Sequence, residues 1–482
     1  MQIRHPENEL FASRENEFTS LRSKRRSDAL ASRRLVKVED DKDVFAQDYA
    51  QNKPSIATLL DHLEAAKSSD QQVFFVKYIS FVVSFDHNSV SSIDTVARIV
   101  SVMLRFLTVP NQPEPVLSNV FVTFANISSL KKPLITPLLT SGFCEVCIYH
   151  LSHTSNLTVV RMCFWCFSNF FAEGSAFIDQ FLHNNFIQVI EDVVHKFGHV
   201  TEFKREYAWF FCNFCRYSDV RYLPVVKELF PLDILKTCTK PEVLHDVLWG
   251  VFFLSLHVQA FTLFKELNLF ALITPLLRRE WIVQLPIVKT ISHYSSEPEQ
   301  FLVPFLENDV LKYFQEILTR STNEEVLHDV CFTVSNFFTN EFLLNMTVKA
   351  GIVQAMLEIR PKTTEFVRNE IRWALVHFIS TANPHHLVFA LQFDQFFLAL
   401  ADFYIQNDRL ATYYVLGVLK LCIYIDEIIV SPEQRDEIFE RLQQAGVVKC
   451  LEMFASSPDQ KTRETTTSIL KLYFSLTDVD CA

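Results

Sequence analysis

The sequence predicts an all-α repeat solenoid, and three observations carry that prediction. Glycine is scarce: there are 7 in 482 residues, at 142, 174, 198, 250, 351, 417 and 446, no two closer than 24 residues. A turn-rich β fold needs left-handed backbone at many positions, which glycine supplies most cheaply. Apolar residues make up 49% of the chain. They recur at helical spacing in FIQVIEDVVHKF (186–197), LKYFQEILTR (311–320) and VVKCLEMFASS (447–457). Finally, an apolar run with an aromatic, three residues and then Asn returns in CFWCFSNFFAEG (163–174), EYAWFFCNFCR (206–216) and DVCFTVSNFFT (329–339).

The same phase continues in VTFAN (122–126), WGVFF (249–253), KTISH (289–293) and WALVH (373–377). The last positions are 126, 169, 213, 253, 293, 336 and 377, at intervals of 43, 44, 40, 40, 43 and 41 residues. This period is that of helical HEAT and armadillo repeats, about 40–47 residues. SIATLLDHLEA (55–65) with VFFVKYISFVV (73–83) begins the series, and ATYYVLGVLKLC (411–422) and RETTTSILKLYF (463–474) extend it. Length alone would suggest roughly three domains at about 150 residues each. The single period argues instead for about ten stacked repeats over 50–478, preceded by an arm over 1–40. Stacked repeats share one continuous core and present an extended surface suited to extended polypeptides.

Charge separates the arm from the repeats. Residues 21–37 hold seven basic residues and one acid, a net +6, which leaves −17 on the rest of a chain whose formal charge is −11. A basic arm on an acidic body points to an acidic docking surface, its own or a partner's. A bipartite nuclear localization signal is the competing reading of the same residues, and a weak nucleic-acid contact is another.

Several function classes find no support. Widely spaced glycines leave no GxGxxG or phosphate loop, and neither GxSxG nor HExxH occurs. The polar start does not read as a signal peptide, so the 11 cysteines are expected as reduced thiols. Cys144-x2-Cys147 and Cys163-x2-Cys166 match a zinc spacing, but the second pair lies in an aromatic helix without turn residues. Packing as small hydrophobes is the better reading, so neither metal nor cofactor is expected. The most apolar window, VLWGVFFLSLHVQAFTLF (247–264), is interrupted by Ser255, His257 and Gln259. It reads as a buried helix pair rather than a lipid span.

Period, Trp-xxx-Asn helices, acidic residues beside them and a basic N-terminal arm together resemble importin-α, over nearly the whole chain. That resemblance implies a right-handed superhelical solenoid of about ten armadillo repeats with a flexible arm. It implies an adaptor, not an enzyme, that binds nuclear localization signals of cargo proteins and shuttles between cytoplasm and nucleus. LRSKRRSDALASRRLV (21–36) is similar to the C-terminal half of the family's importin-β-binding segment. Leu21, Arg22, Lys24, Arg25, Arg26, Arg33 and Arg34 would then meet an importin-β-like carrier, with Ser32 where a lysine is usual. An export carrier at the C-terminal repeat is a further implied partner; nucleic acid and membrane are not.

The family's cargo sites carry over residue by residue. The major site falls on Asn126, Trp165, Asn169, Glu173, Trp209, Asn213, Asp246 and Trp249, with Val122 where a first Trp is usual. Arg216 and Phe253 also match family positions, Phe253 standing for a Tyr. The minor site falls on Lys289, His293, Asp329, Phe332, Asn336, Glu370, Trp373 and His377, with both histidines in place of Asn. The resemblance implies that Trp walls hold the aliphatic stem of a cargo Lys or Arg, Asn bonds the cargo main chain and an acid takes the cationic head. Positions four apart share a helix face, which places Glu173 one turn beyond Asn169 and facing solvent. The alternative is a general armadillo scaffold without signal recognition, in which these Trp are core and the Asn hold one repeat to the next.

Overall fold

A computed structural model describes residues 42–474, apart from 111, 183, 184, 218 and 404–407. The basic arm, with Leu21, Arg22, Lys24, Arg25, Arg26, Arg33 and Arg34, lies outside the described residues. Two compact units divide the chain between Leu263 and Phe264. Among the described residues there are α and 3-10 helices and no strand. No single helix among them is long and apolar enough to cross a membrane. The apolar window over 247–264 breaks after Ser255, and the next helix starts at Ala260.

Most repeats are built from two shorter helices and a longer third helix, the armadillo arrangement; Ile93–Thr108, before Glu114–Ser128, and Pro432–Ala445, before Gln460–Tyr473, are at least as long as the third helices that follow. The first unit has third helices α1 (Ser69–Phe85), α2 (Glu114–Ser128), α3 (Leu157–Phe171), α4 (Thr201–Arg216) and α5 (Pro241–Ser255), each packed on the next. The second unit has α6 (Trp281–Ser295), α7 (Glu324–Phe337), α8 (Glu365–Thr381), α9 (Asp408–Ile428) and α10 (Gln460–Tyr473), stacked in the same way. The preceding helices form a second layer; Phe143–His153 packs on Phe186–Phe197, and Val310–Arg320 on Ile352–Ile359. The chain is an all-α solenoid of armadillo repeats.

Local sequence explains where these helices start. Asn156 accepts from the Thr158 and Val159 amides at the head of α3, Asn323 from Val326 before α7, and Asp459 from Thr462 before α10. Such caps satisfy amides that have no partner inside the helix. In six repeats the sharp corner before the second helix is turned by a left-handed residue. Gly142 (φ 83°), Asn185 (59°), Asn268 (53°), Asp309 (61°), Gly351 (73°) and Gly446 (101°) fill it. Asn and Asp tolerate that conformation better than other side chains, which is how a glycine-poor chain turns so many corners.

Phenylalanine fills the interior. In the first unit Phe164, Phe167, Phe171, Phe181, Phe186 and Phe210 are all buried. Phe167 lies 5.0 Å from Phe181 and 5.4 Å from Phe186, ring centre to centre, and Phe164 lies 5.2 Å from Phe210. Edge-on rings at these separations gain about 0.5–1.5 kcal/mol per pair beyond area burial. In the second unit Phe338 and Phe378, 5.5 Å apart, join the layers of successive repeats.

Candidate peptide-binding face

The third helices carry every described site residue except Glu173, which follows the end of α3. Asn126, Asn169 and Asn213 are buried, as are Trp209, Trp249 and Asp246; Trp165 and Glu173 are half-buried. In the second unit Asp329, Asn336, Glu370 and Trp373 are buried, while Lys289, His293, Phe332 and His377 are half-buried. The two Trp that flank Glu173 in sequence order are thus not alike: Trp209 is 4% exposed, and Trp165 keeps an accessible part.

The Asn row ties repeats together. The Asn169 side-chain amide donates to the Ala125 carbonyl (3.2 Å) and to Ser128 Oγ (3.0 Å), both at the end of α2. Asn336 donates to Ser295 Oγ (2.8 Å) and Ser296 Oγ (3.4 Å) at the end of α6. His377, which replaces Asn in this row, reaches the Ser335 carbonyl of α7 through Nδ1 (2.9 Å). A carbonyl only accepts, so Nδ1 carries the proton. His377 therefore repeats the job of Asn169 five repeats further along. Asn213 Nδ2 is buried without a hydrogen-bond partner.

Glu173 departs from the helical expectation. α3 ends at Phe171, and the Glu173 amide closes onto the Phe170 carbonyl at 3.0 Å. Gly174 follows at φ 131°, a conformation open to glycine, so the chain leaves the helix before the turn from Asn169 to Glu173 is complete. Glu173 stands in the turn after Asn169, half-buried rather than facing solvent.

The acids seven residues before the Asn row are engaged within the protein. Glu206 Oε1 receives Arg161 Nη2 at 2.9 Å, from α3 to α4. Asp246 Oδ1 accepts from His245 Nδ1 (3.0 Å), and His245 Nε2 accepts from the Trp249 indole N–H (3.0 Å). The indole nitrogen only donates, which fixes the His245 tautomer and makes an Asp246–His245–Trp249 chain. Lys289 and Asp329, both assigned to cargo by the resemblance, meet each other: Lys289 Nζ lies 2.8 Å from Asp329 Oδ2. His328 Nδ1 lies 3.0 Å from Asp329 Oδ1 and its Nε2 3.5 Å from Glu370 Oε1.

Sequence reasoning missed Arg161, Glu206, His245 and His328. The signal was there: Leu-His-Asp-Val occurs at 244–247 and again at 327–330, at one phase of the repeat. Burial alone would lower the His328 pKa, but hydrogen bonds and charge from Asp329 and Glu370 outweigh it and raise it above the usual 6.5.

The cysteines sit where packing puts them. Cys144, Cys147, Cys163 and Cys166 are buried. Burial pushes the Cys144 thiol up to about 12 and Cys147 and Cys166 well above the usual range. Metal ligation needs thiolates, and these surroundings favour the protonated form.

No family model matches the sequence, and no curated protein does. Solved structures do match in fold. A crystal structure of an engineered protein from the Northeast Structural Genomics Consortium superposes with a TM-score of 0.68 at 16% identity, over 87% of this chain and 98% of that one. A designed armadillo repeat protein covers 50% of this chain and 97% of its own, at 15% identity and a TM-score of 0.41. A second designed armadillo repeat protein, in complex with the peptide (KR)4, covers 50% and 96%, at 17% identity and a TM-score of 0.39. At 16% identity the first of these likenesses is one of fold alone.

Proposed function

We propose that this chain is a non-catalytic armadillo scaffold that binds extended basic peptides on α3, α4 and α5, and that it serves as a nuclear import adaptor. The observation that carries this reading is the row of Trp165, Trp209 and Trp249, each four residues before the Asn-row position on consecutive, directly packed helices. Packed helices lie about 8–10 Å apart, and an extended peptide advances about 3.3 Å per residue. One side chain in three then meets each helix. Glu173, in the turn after Asn169 and half-buried, is the acid assigned by the resemblance to a cargo lysine. The basic arm would join the scaffold to an importin-β-like carrier.

Calorimetry with a lysine-rich localization-signal peptide tests this on wild type and Glu173→Ala. A charge-assisted bond of about 1.5–3 kcal/mol corresponds to roughly ten- to a hundredfold in affinity. A change below about twofold with unaltered melting would overturn the assignment of Glu173.

A scaffold without signal recognition is the second reading. Favouring it are the internal pairs Arg161–Glu206 and Lys289–Asp329 and the use of Asn169, Asn336 and His377 between repeats. Under that reading the wild-type protein itself gives no heat with the peptide.

A further inference from the structure

Three consecutive third helices of the first unit repeat one more position besides the Trp and Asn rows. Four residues before Trp165, Trp209 and Trp249 stand Arg161, Arg205 and His245. Positions four apart share a helix face, so each basic side chain starts one turn, about 6 Å, nearer the head of its helix than the Trp. All three reach solvent: Arg161 and His245 have side chains 31% and 29% exposed, and Arg205 is exposed.

Their engagements differ. Arg161 crosses from α3 to α4 and reaches Glu206, while His245 is held by Asp246 and Trp249. Arg205, next to Glu206 in the chain, meets no carboxylate within ion-pairing distance among the described residues. Of the two guanidinium groups on this edge of α3 and α4, only Arg161 is paired. Glu202 is exposed one turn nearer the head of α4, so a group extending from the Trp row meets Arg205 before it meets Glu202. The opposite edge carries Glu173, past the end of α3.

The two edges therefore differ in sign, and an extended chain reads both. Its side chains alternate in direction, and about three residues carry it from one helix to the next. When a lysine points to Glu173 at the end of α3, the side chain three residues away points the other way, toward the head of α4. We propose that Arg205 selects an acidic residue at that place. The peptide this face takes then has mixed charge, with Asp or Glu three residues from the lysine at Glu173. This deepens the peptide-binding reading and rests on it.

The test is calorimetry in about 0.15 M salt, where distant exposed charges are screened. Two versions of the lysine-rich localization-signal peptide carry Glu or Lys three residues to either side of the central lysine, so both chain directions are covered. The ratio of their affinities is measured on wild type, Arg205→Glu and Lys204→Glu. Lys204 is half-buried on α4, off the face shared by Arg205 and Trp209, so its reversal changes the net charge equally and leaves the row intact. An exposed ion pair gives up to about fivefold in affinity, and reversing it adds a repulsion of similar size. Preference for Glu over Lys should fall at least about fivefold from wild type to Arg205→Glu, and less than twofold in Lys204→Glu. A shift below twofold in Arg205→Glu, or one matched by Lys204→Glu, would overturn the role of Arg205 while heat from the peptides upholds the peptide-binding face. Absence of heat from both peptides on wild type would overturn that face and the selection by Arg205 with it.

Discussion

At the scale of the residue, one helix position does the same job with two different side chains. Asn169 and His377 both reach back to the previous repeat, one with an amide and one with an imidazole. Asn169→Ala removes a buried donor from the Ala125 carbonyl and Ser128. Leaving such groups unsatisfied costs about 1–3 kcal/mol, so chemical denaturation should show a loss in that range, with Glu173→Ala showing less. His150 is shifted the opposite way to His328. It is half-buried, with Nε2 2.8 Å from the Leu107 carbonyl, and desolvation lowers its pKa below 6.5. Its contribution is present above about 6.5 and lost as pH falls through the folded value. Melting should drop from pH 7.5 to 5.0, and drop less in His150→Gln, which keeps a donor but cannot take up a proton.

At the scale of the element, close approach decides what a helix tolerates. Gly250 on α5 sits against α4, where a Cβ would lie 2.7 Å from Phe211 Cε1 and 2.8 Å from Cδ1. Phe211 is buried and its ring is not a flexible end. Gly250→Ala gains about 1 kcal/mol of helix propensity, while overpacking costs about 1–3 kcal/mol. Destabilisation should win, and a gain in melting temperature would show that α4 and α5 part more easily than the packing implies. Between α6 and α7 the Lys289–Asp329 pair should behave as a buried bridge. Lys289→Met should cost about 1–3 kcal/mol, since it takes one charge-assisted partner from buried Asp329 while His328 stays beside it; Lys289→Met with Asp329→Leu shows how much of that cost belongs to the stranded carboxylate. Urea unfolding of the three proteins measures this coupling directly.

At the scale of the whole molecule, the arm and the repeats should separate. Within each unit successive third helices pack on one another, so the stability of a unit is close to a sum of local and nearest-neighbour terms. Deleting residues 1–40 should leave the circular dichroism and melting of the repeats unchanged while abolishing pull-down of an importin-β-like carrier. With seven basic residues in 21–37, carrier binding by the intact chain should weaken steeply with salt, since exposed charges are screened beyond about 8–10 Å at 0.1–0.15 M. Carrier retention after the deletion would sink the import reading and leave the scaffold.

The sequence by itself determined the helical class, the period and the rows of Trp165, Trp209, Trp249, Asn169, Asn213 and Asn336. These are local or periodic properties: apolar spacing selects the helix, and recurrence selects stacking. Even the left-handed corners were legible in principle, as Gly, Asn or Asp at 142, 185, 268, 309, 351 and 446. Only the tertiary structure decided which partner each polar side chain takes. Arg161 with Glu206, Lys289 with Asp329 and His328 with Glu370 lie 45, 40 and 42 residues apart, one repeat in each case. The period brings the helices side by side, but a hydrogen bond or ion pair forms within about 3–4 Å. That tolerance depends on how each helix is rotated against the next and on the rotamer its core neighbours allow. Glu173 leaves its helix because Gly174 turns the chain, and Lys289 meets Asp329 because α6 packs on α7; neither is set by spacing along the chain.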